Sequence, residues 1–198
     1  MVTTVTSPSL LEELRAGGNQ EAWQEFFQRY APMLLAIARG VGLRSSDVDD
    51  AVQETLVAVL RLFRRLDQPF DRTRRRFKAW LRGVVLHKVR DVQRRALRAQ
   101  RLAEGMATCI DPHAEAERAQ AVFELEWQRN RLQRALDEVA REVDPATFQE
   151  FELYALQGQN VDNVADLFET SRNAIYIAKC RILCRLKETV ARLEQEEG

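Results

Sequence analysis

Histidine and cysteine are scarce. His87 and His113 are the only histidines of the 198-residue chain, and Cys109, Cys180 and Cys184 its three cysteines. With no C-x-x-C pair and no clustered His, neither a disulfide framework nor a zinc site is supported. Cys180 and Cys184 share a helix face; ordinary small side chains in a reducing compartment are expected there, with a redox pair as the alternative. Long apolar runs are missing as well. No stretch approaches the ~20 residues needed to span a bilayer, and Met1 to Ser9 has neither the basic start nor the apolar middle of a secretory signal. The expectation is a cytoplasmic protein with no membrane partner. Net charge is also absent, since 30 Lys+Arg balance 30 Asp+Glu, so total charge gives no pull towards nucleic acid.

The distribution of that charge is less even. From Arg61 to Arg101 there are 15 cations against Asp67, Asp71 and Asp91, a net +12, whereas Ala103 to Thr170 holds 5 Arg against 15 acids, a net −10. Such segregation makes a local field that attracts phosphate while the whole chain stays neutral. The basic stretch reads as one long helix, TRRRFKAWLRGVVLHKVRDVQRRALRAQR. In it Phe77, Leu81, Val85, Val89, Val92 and Ala96 form the packed stripe. Arg74, Arg75, Arg76, Lys78, Arg82, Lys88, Arg94 and Arg95 are left for solvent or phosphate. Trp80, set among these cations, suits either a stacking platform for unpaired bases or the core.

Val161 to Leu186 reads as two helices joined by a tight turn. Val161, Val164, Ala165 and Phe168 recur at i, i+3, i+4 and i+7. Ser171 is placed to cap the second helix, whose apolar stripe is Ile175, Ala178, Ile182 and Leu186. In a helix-turn-helix that second helix enters the major groove. Arg172, Asn173 and Tyr176 would then reach base edges, with Lys179 and Arg181 on phosphates.

The rest of the pattern is helical too. Ser7-Pro8 starts a short helix ending at Gly17-Gly18, and Asn19 can cap a longer one with Trp23, Phe26, Phe27, Tyr30, Leu34, Ile37 and Val41 inward and a kink at Pro32. Ser46 followed by Asp49 suggests a variant capping box, opening a helix with Val48, Val52, Leu56, Val59 and Phe63 on its buried stripe. On its other face Asp49, Asp50, Gln53 and Glu54 cluster. They suit a basic partner or, on an enzymatic reading, metal or acid–base carboxylates, although a di-metal site would need further ligands such as Glu-x-x-His on a facing helix. Asp144-Pro145 opens a helix carrying Phe148, Phe151, Leu153 and Tyr154, which ends near Gly158.

Taken in order, DVDDAVQETLVAVLR, FKAWLRGVVLHKVRDVQRR and the C-terminal helix-turn-helix resemble the extracytoplasmic-function group of bacterial RNA polymerase sigma factors. The resemblance implies an all-α, two-domain protein with a helix-turn-helix in its second domain. Residues 1–98 would be a region 2-like domain that binds core polymerase and recognises and melts the minus-10 element. Residues 99–121 would be a linker, and residues 122–198 a region 4-like domain for the minus-35 element, beginning with a helix around Trp127, Leu132, Leu136 and Val139. Asp49, Asp50, Gln53 and Glu54 fall on the acidic stripe that grips the clamp helices of the polymerase. Phe77, Trp80 and Leu81 match F-x-x-W-L beside the melting segment, and Asp91, Arg94 and Arg95 match D-x-x-R-R. His87 stands where the family has Asn, and Ala174 to Ala178 replaces T-V-K-S-R, so neither promoter element can be borrowed from relatives. The partners implied are core RNA polymerase, promoter DNA and, as a further candidate, an anti-sigma factor. No catalytic residue, metal or cofactor is expected. A helix-turn-helix regulator that is not a polymerase subunit is the alternative, and a nuclease or phosphohydrolase on the acidic helix a third class.

Overall fold

The computed structural model describes residues 8–15, 20–64, 77–104 and 112–197. Every regular element among them is helical: α1 (Pro8–Arg15), α2 (Gln20–Gly40), α3 (Ser45–Arg64), α4 (Phe77–Glu104), α5 (Pro112–Glu142), α6 (Pro145–Phe151) with a π-helical turn Glu152–Leu156 after it, α7 (Val161–Leu167) and α8 (Arg172–Glu197). None of the described helices is long and apolar enough to cross a membrane. The chain forms two compact units, dividing between Asn130 and Arg131.

The N-terminal unit is built on α2, α3 and α4, whose apolar stripes follow the 3.6-residue period expected of them. Val48, Val52, Val59 and Phe63 of α3 are buried, as are Phe77, Leu81, Val85, Val89 and Val92 of α4. Leu56 and Ala96 are half-buried. Pro32 lies inside α2 on its exposed side. Gly42, at a φ of +86°, ends that helix. Its N–H bonds the Arg39 carbonyl at 2.9 Å and the Leu43 N–H bonds that of Ala38 at 3.2 Å, satisfying the last carbonyls of the helix. At the start of α3 the capping box is not formed. The helix begins at Ser45, the Asp47 and Val48 N–H groups bond the Arg44 carbonyl at 2.8 and 3.1 Å, and the Ser46 hydroxyl points to Asp47 instead. Two serines in succession allow the helix to start one residue earlier, which puts Ser46 inside the first turn.

Aromatic rings fill the middle of this unit. Phe26 of α2 lies 4.8 Å from Tyr30 and 6.4 Å from Phe77, centroid to centroid. The first part of α5 completes the set. Ala119, Phe123 and Trp127 recur at i, i+4 and i+8 and are all buried in the same core. The Trp127 ring stacks 6.0 Å from Tyr30 and lies 6.2 Å from Phe77. Gly40 permits the close approach, because a Cβ there would stand 2.7 Å from Val122 Cγ1.

This differs from the domain plan expected of the sequence. Of residues 99–121, α4 continues to Glu104 and α5 is under way from Pro112, with 105–111 outside the described residues. Trp127 packs in the N-terminal core, away from Val139, and Leu132 is 50% exposed. The stripe that docks the first part of α5 on this core is sparse, and large aromatics at two of its three positions are enough to hold it.

The C-terminal unit takes α5 from Arg131, then α6, α7 and α8. Asp144 caps α6, accepting from the Thr147 N–H at 3.1 Å with Pro145 at the first helical position. The π-helical turn follows, and Gly158, at φ +70°, closes it. Ala135, Val139, Phe151, Ile182, Leu186 and Leu193 form the larger core of the unit. A smaller one, Val164, Ala165 and Ile175 with Leu153, Tyr154, Val161 and Phe168 at its margin, holds α7 against the start of α8.

Candidate nucleic-acid interface

The turn between α7 and α8 has the geometry a helix-turn-helix needs. Asn160 caps α7 through its side-chain oxygen, which accepts from the Asp162 N–H at 2.8 Å, and Ser171 caps α8, accepting from the Ala174 N–H at 3.1 Å. Between them Glu169 adopts a left-handed φ of +48°, and the Thr170 N–H bonds the Ala165 carbonyl at 2.9 Å. The reversal is thus fixed by hydrogen bonds at both ends. Ile175, Ala178, Ile182 and Leu186 are buried, so the face of α8 with Arg172, Asn173, Tyr176 and Arg181 is exposed.

Not all of those side chains are unengaged. Arg172 forms an ion pair with Asp162 of α7. Tyr176 lies edge-on to Tyr154, 5.7 Å between centroids. The Lys179 ammonium sits 4.8 Å from the centre of the Tyr154 ring, so its stem follows the half-buried side and its charge rests on an aromatic face. The sequence gives Asp162 no role and Tyr154 only a packing one. Tyr154 lies within the apolar pattern of its helix, and the pairing of Asp162 with Arg172 joins two helices across a turn, which no periodicity reports. Cys180 and Cys184 are exposed on α8.

On the N-terminal unit, Asp49, Asp50 and Gln53 are exposed in successive turns of α3. Glu54 is more enclosed, and Arg95 of α4 donates to it at 2.5 Å while Lys88 stands 4.0 Å away. That hydrogen bond, ahead of the nearby charges of Asp91 and Asp50, holds the Arg95 guanidinium above its ordinary value. The acidic stripe and the basic helix therefore meet at Glu54. His87 faces Asp91 one turn on, at 3.4 Å, and Arg94 is exposed. Lys78 and Arg82 converge on Glu124 of α5, at 2.5 and 3.3 Å. Glu124 had no role in the sequence reading. Its place beside Phe123, on the flank of the Ala119–Phe123–Trp127 stripe, is the signal that could have found it.

Trp80 is half-buried. Its ring packs edge-on against Phe63 at 5.1 Å and beside Phe77 at 5.7 Å, so packing already occupies much of the surface a stacked base would use. Arg74, Arg75 and Arg76 lie outside the described residues.

Residues 26–101 match the family model described as Sigma-70 region 2, taking in most of α2, all of α3 and nearly all of α4. Two curated relatives agree. The RNA polymerase sigma factor CnrH of Cupriavidus metallidurans is 40% identical over 85 residues, 43% of this chain and 42% of that protein. The RNA polymerase sigma factor NccH of Alcaligenes xylosoxydans xylosoxydans is 39% identical over 93 residues, 46% of this chain and 47% of that protein. The match thus spans less than half the length of either relative. A solved structure of CnrH in complex with the cytosolic domain of CnrY is 24% identical and covers 94% of this chain and 97% of that one, with a TM-score of 0.38.

Proposed function

We propose that this chain, whose residues 26–101 match the Sigma-70 region 2 family model, is a subunit of the extracytoplasmic-function type that binds core RNA polymerase and directs it to particular promoters. The observation that carries the reading is that the matched segment holds both an exposed acidic row on α3 and the basic helix α4, in a chain that also carries two capped helices, α7 and α8, joined by a tight turn. Asp49, Asp50 and Gln53, with Glu54 at the margin, would meet the polymerase. The cations of α4 would hold the phosphates of the minus-10 element while its strands part. α8 would read the minus-35 element, and an anti-sigma protein is a further partner on this reading. No step needs catalysis by the chain itself. Run-off transcription from a genomic fragment library tests it: core polymerase should start at defined promoters only when the protein is added. Duplex binding without any promoter-dependent transcription would mark a regulator that is not a polymerase subunit.

Within this reading the two kinds of contact on α8 separate experimentally. Asn173 is exposed in the first turn, where side chains meet base edges, and Arg181 lies more than two turns further along. Asn173→Ala is expected to change which minus-35 sequences are drawn from a randomised pool, at a cost of about 1–3 kcal/mol on the preferred one. Arg181→Ala should weaken every member of the pool alike and make the salt dependence shallower. An Asn173→Ala protein that selects the wild-type sequences would mean that the reading face lies elsewhere on the helix.

A further inference from the structure

The geometry points to Glu124 as a built-in competitor for DNA phosphate, an α5 carboxylate that occupies the two cations at the start of the basic helix. The inference rests on the reading of α4 as a DNA-binding surface and adds a restraint on it. One oxygen of Glu124 takes the Lys78 ammonium at 2.5 Å and the other the Arg82 guanidinium at 3.3 Å. Lys78 and Arg82 are one turn apart on α4, and Glu124 comes from beyond the segment that matches the Sigma-70 region 2 family. All three side chains are roughly one-third exposed, so the site is open to solvent and to a polyanion.

Two features make this more than a passing surface contact. The carboxylate is held in place by its own helix: Phe123, the preceding residue, is fully buried, and Trp127, three residues on, is in the same core. Moving Glu124 away bodily would mean unpacking Trp127 from Tyr30 and Phe77 and drawing Phe123 out of the same core, whereas the two cations can turn on their long side chains. A phosphate must therefore compete for Lys78 and Arg82 against an acid that stays nearby. The pairing also repeats in kind along α4, where Glu54 of α3 engages Arg95 and Lys88. In the free chain, four of the described α4 cations assigned to DNA already face an acid from another helix. As a part-exposed ion pair, Glu124 contributes little to folding. Its effect falls on binding.

The test compares the full-length protein with Glu124→Gln, measuring affinity for a fluorescent single-stranded oligonucleotide and for a duplex across a salt series. A second variant, Glu126→Gln, removes the same charge two residues away, where the carboxylate pairs with Arg129 of its own helix. Freeing two cations should tighten binding of Glu124→Gln by at least about tenfold at ~0.1 M salt and steepen the salt slope by about one to two. Glu126→Gln should stay close to wild type. Adding Lys78→Gln and Arg82→Gln to Glu124→Gln should erase the gain. The proposal is overturned if Glu124→Gln binds no more tightly than wild type, if neither protein binds either DNA, if Glu126→Gln gains as much, or if the gain survives loss of Lys78 and Arg82. Promoter-dependent run-off with core polymerase is measured in parallel. Tighter DNA binding without run-off would reject the sigma-factor reading alone, and run-off with no effect of Glu124→Gln would reject the competitor alone.

Discussion

Trp127→Ala is expected to lower the stability of the N-terminal unit by about 3–5 kcal/mol, the range for deleting a large aromatic from a close-packed core. The indole is 2% exposed and its ring meets Tyr30, Phe77 and Phe123 at 5.7 to 6.2 Å. Truncation leaves a cavity that those rings cannot all collapse into, because each is held by other partners as well, Phe26 among them. Since both units are helical, the total helix signal cannot say which of them has weakened, and a site-resolved measurement is needed. Amide hydrogen exchange supplies it, because opening free energies differ from one cooperative unit to another. The amides of α2 and α4 should lose protection in the variant, whereas those of α7 should keep theirs. Loss confined to α6 and α8 would return Trp127 to the C-terminal unit, where its sequence neighbours Leu136 and Val139 suggested it belonged. By the same reasoning, a fragment ending at Gln100 would lack Ala119, Phe123 and Trp127 and leave Tyr30 and Phe77 partly uncovered.

Amphipathic periodicity is a property of a short stretch of chain, and where one helix serves one core the sequence displays it plainly. The stripes of α3 and α4 are legible for that reason, down to Val59 and Phe63, and Val89 and Val92. α5 shows the limit. Its Ala119–Phe123–Trp127 row and its Ala135–Val139 pair continue one another at helical spacing, yet they sit in different cores. Nothing local marks the change of partner, and Leu132, which the pattern would bury, is exposed.

The candidate site was legible as a set of residue types and much less so as a set of pairings. Charge segregation identified the basic helix, and the Ser171 cap located the start of α8. What these cations face depends on residues far away in the chain, 41 positions for Arg95 and Glu54 and 46 for Lys78 and Glu124, and charge counts carry no such information. Arg172 and Lys179 teach the same point at closer range. Their exposure is as expected, but Asp162 and the Tyr154 ring hold them in the free chain. If these surfaces bind DNA as proposed, binding at either would begin with an exchange of partners, which lowers net affinity while allowing the released acids to repel a misplaced phosphate.

Reversing two charges on α3 should have the largest effect on function. Glu54 is a poor choice for this test, although it completes the acidic stripe, because a cation there would face Arg95 and Lys88 and disturb the packing of α3 on α4. Asp49 and Asp50 avoid that difficulty. Both are exposed in the second turn of α3, outside the stripe that holds Val48 and Val52, so their replacement leaves the buried stripe intact. Asp49→Lys with Asp50→Lys is expected to shift the melting free energy by no more than about 0.5 kcal/mol, the usual range for surface substitutions. Affinity for core polymerase should fall much further. If these carboxylates are covered by a basic helix pair, each lost pairing becomes a like-charge contact, and losses of about 2–5 kcal/mol are typical of desolvated interfacial charge pairs. That corresponds to a rise of about thirtyfold to several thousandfold in Kd. Competition for core polymerase against a labelled wild-type protein would measure it, with melting curves run on the same samples. Unchanged core affinity in the folded double mutant would remove the acidic row from the polymerase interface and leave α3 with a purely structural role.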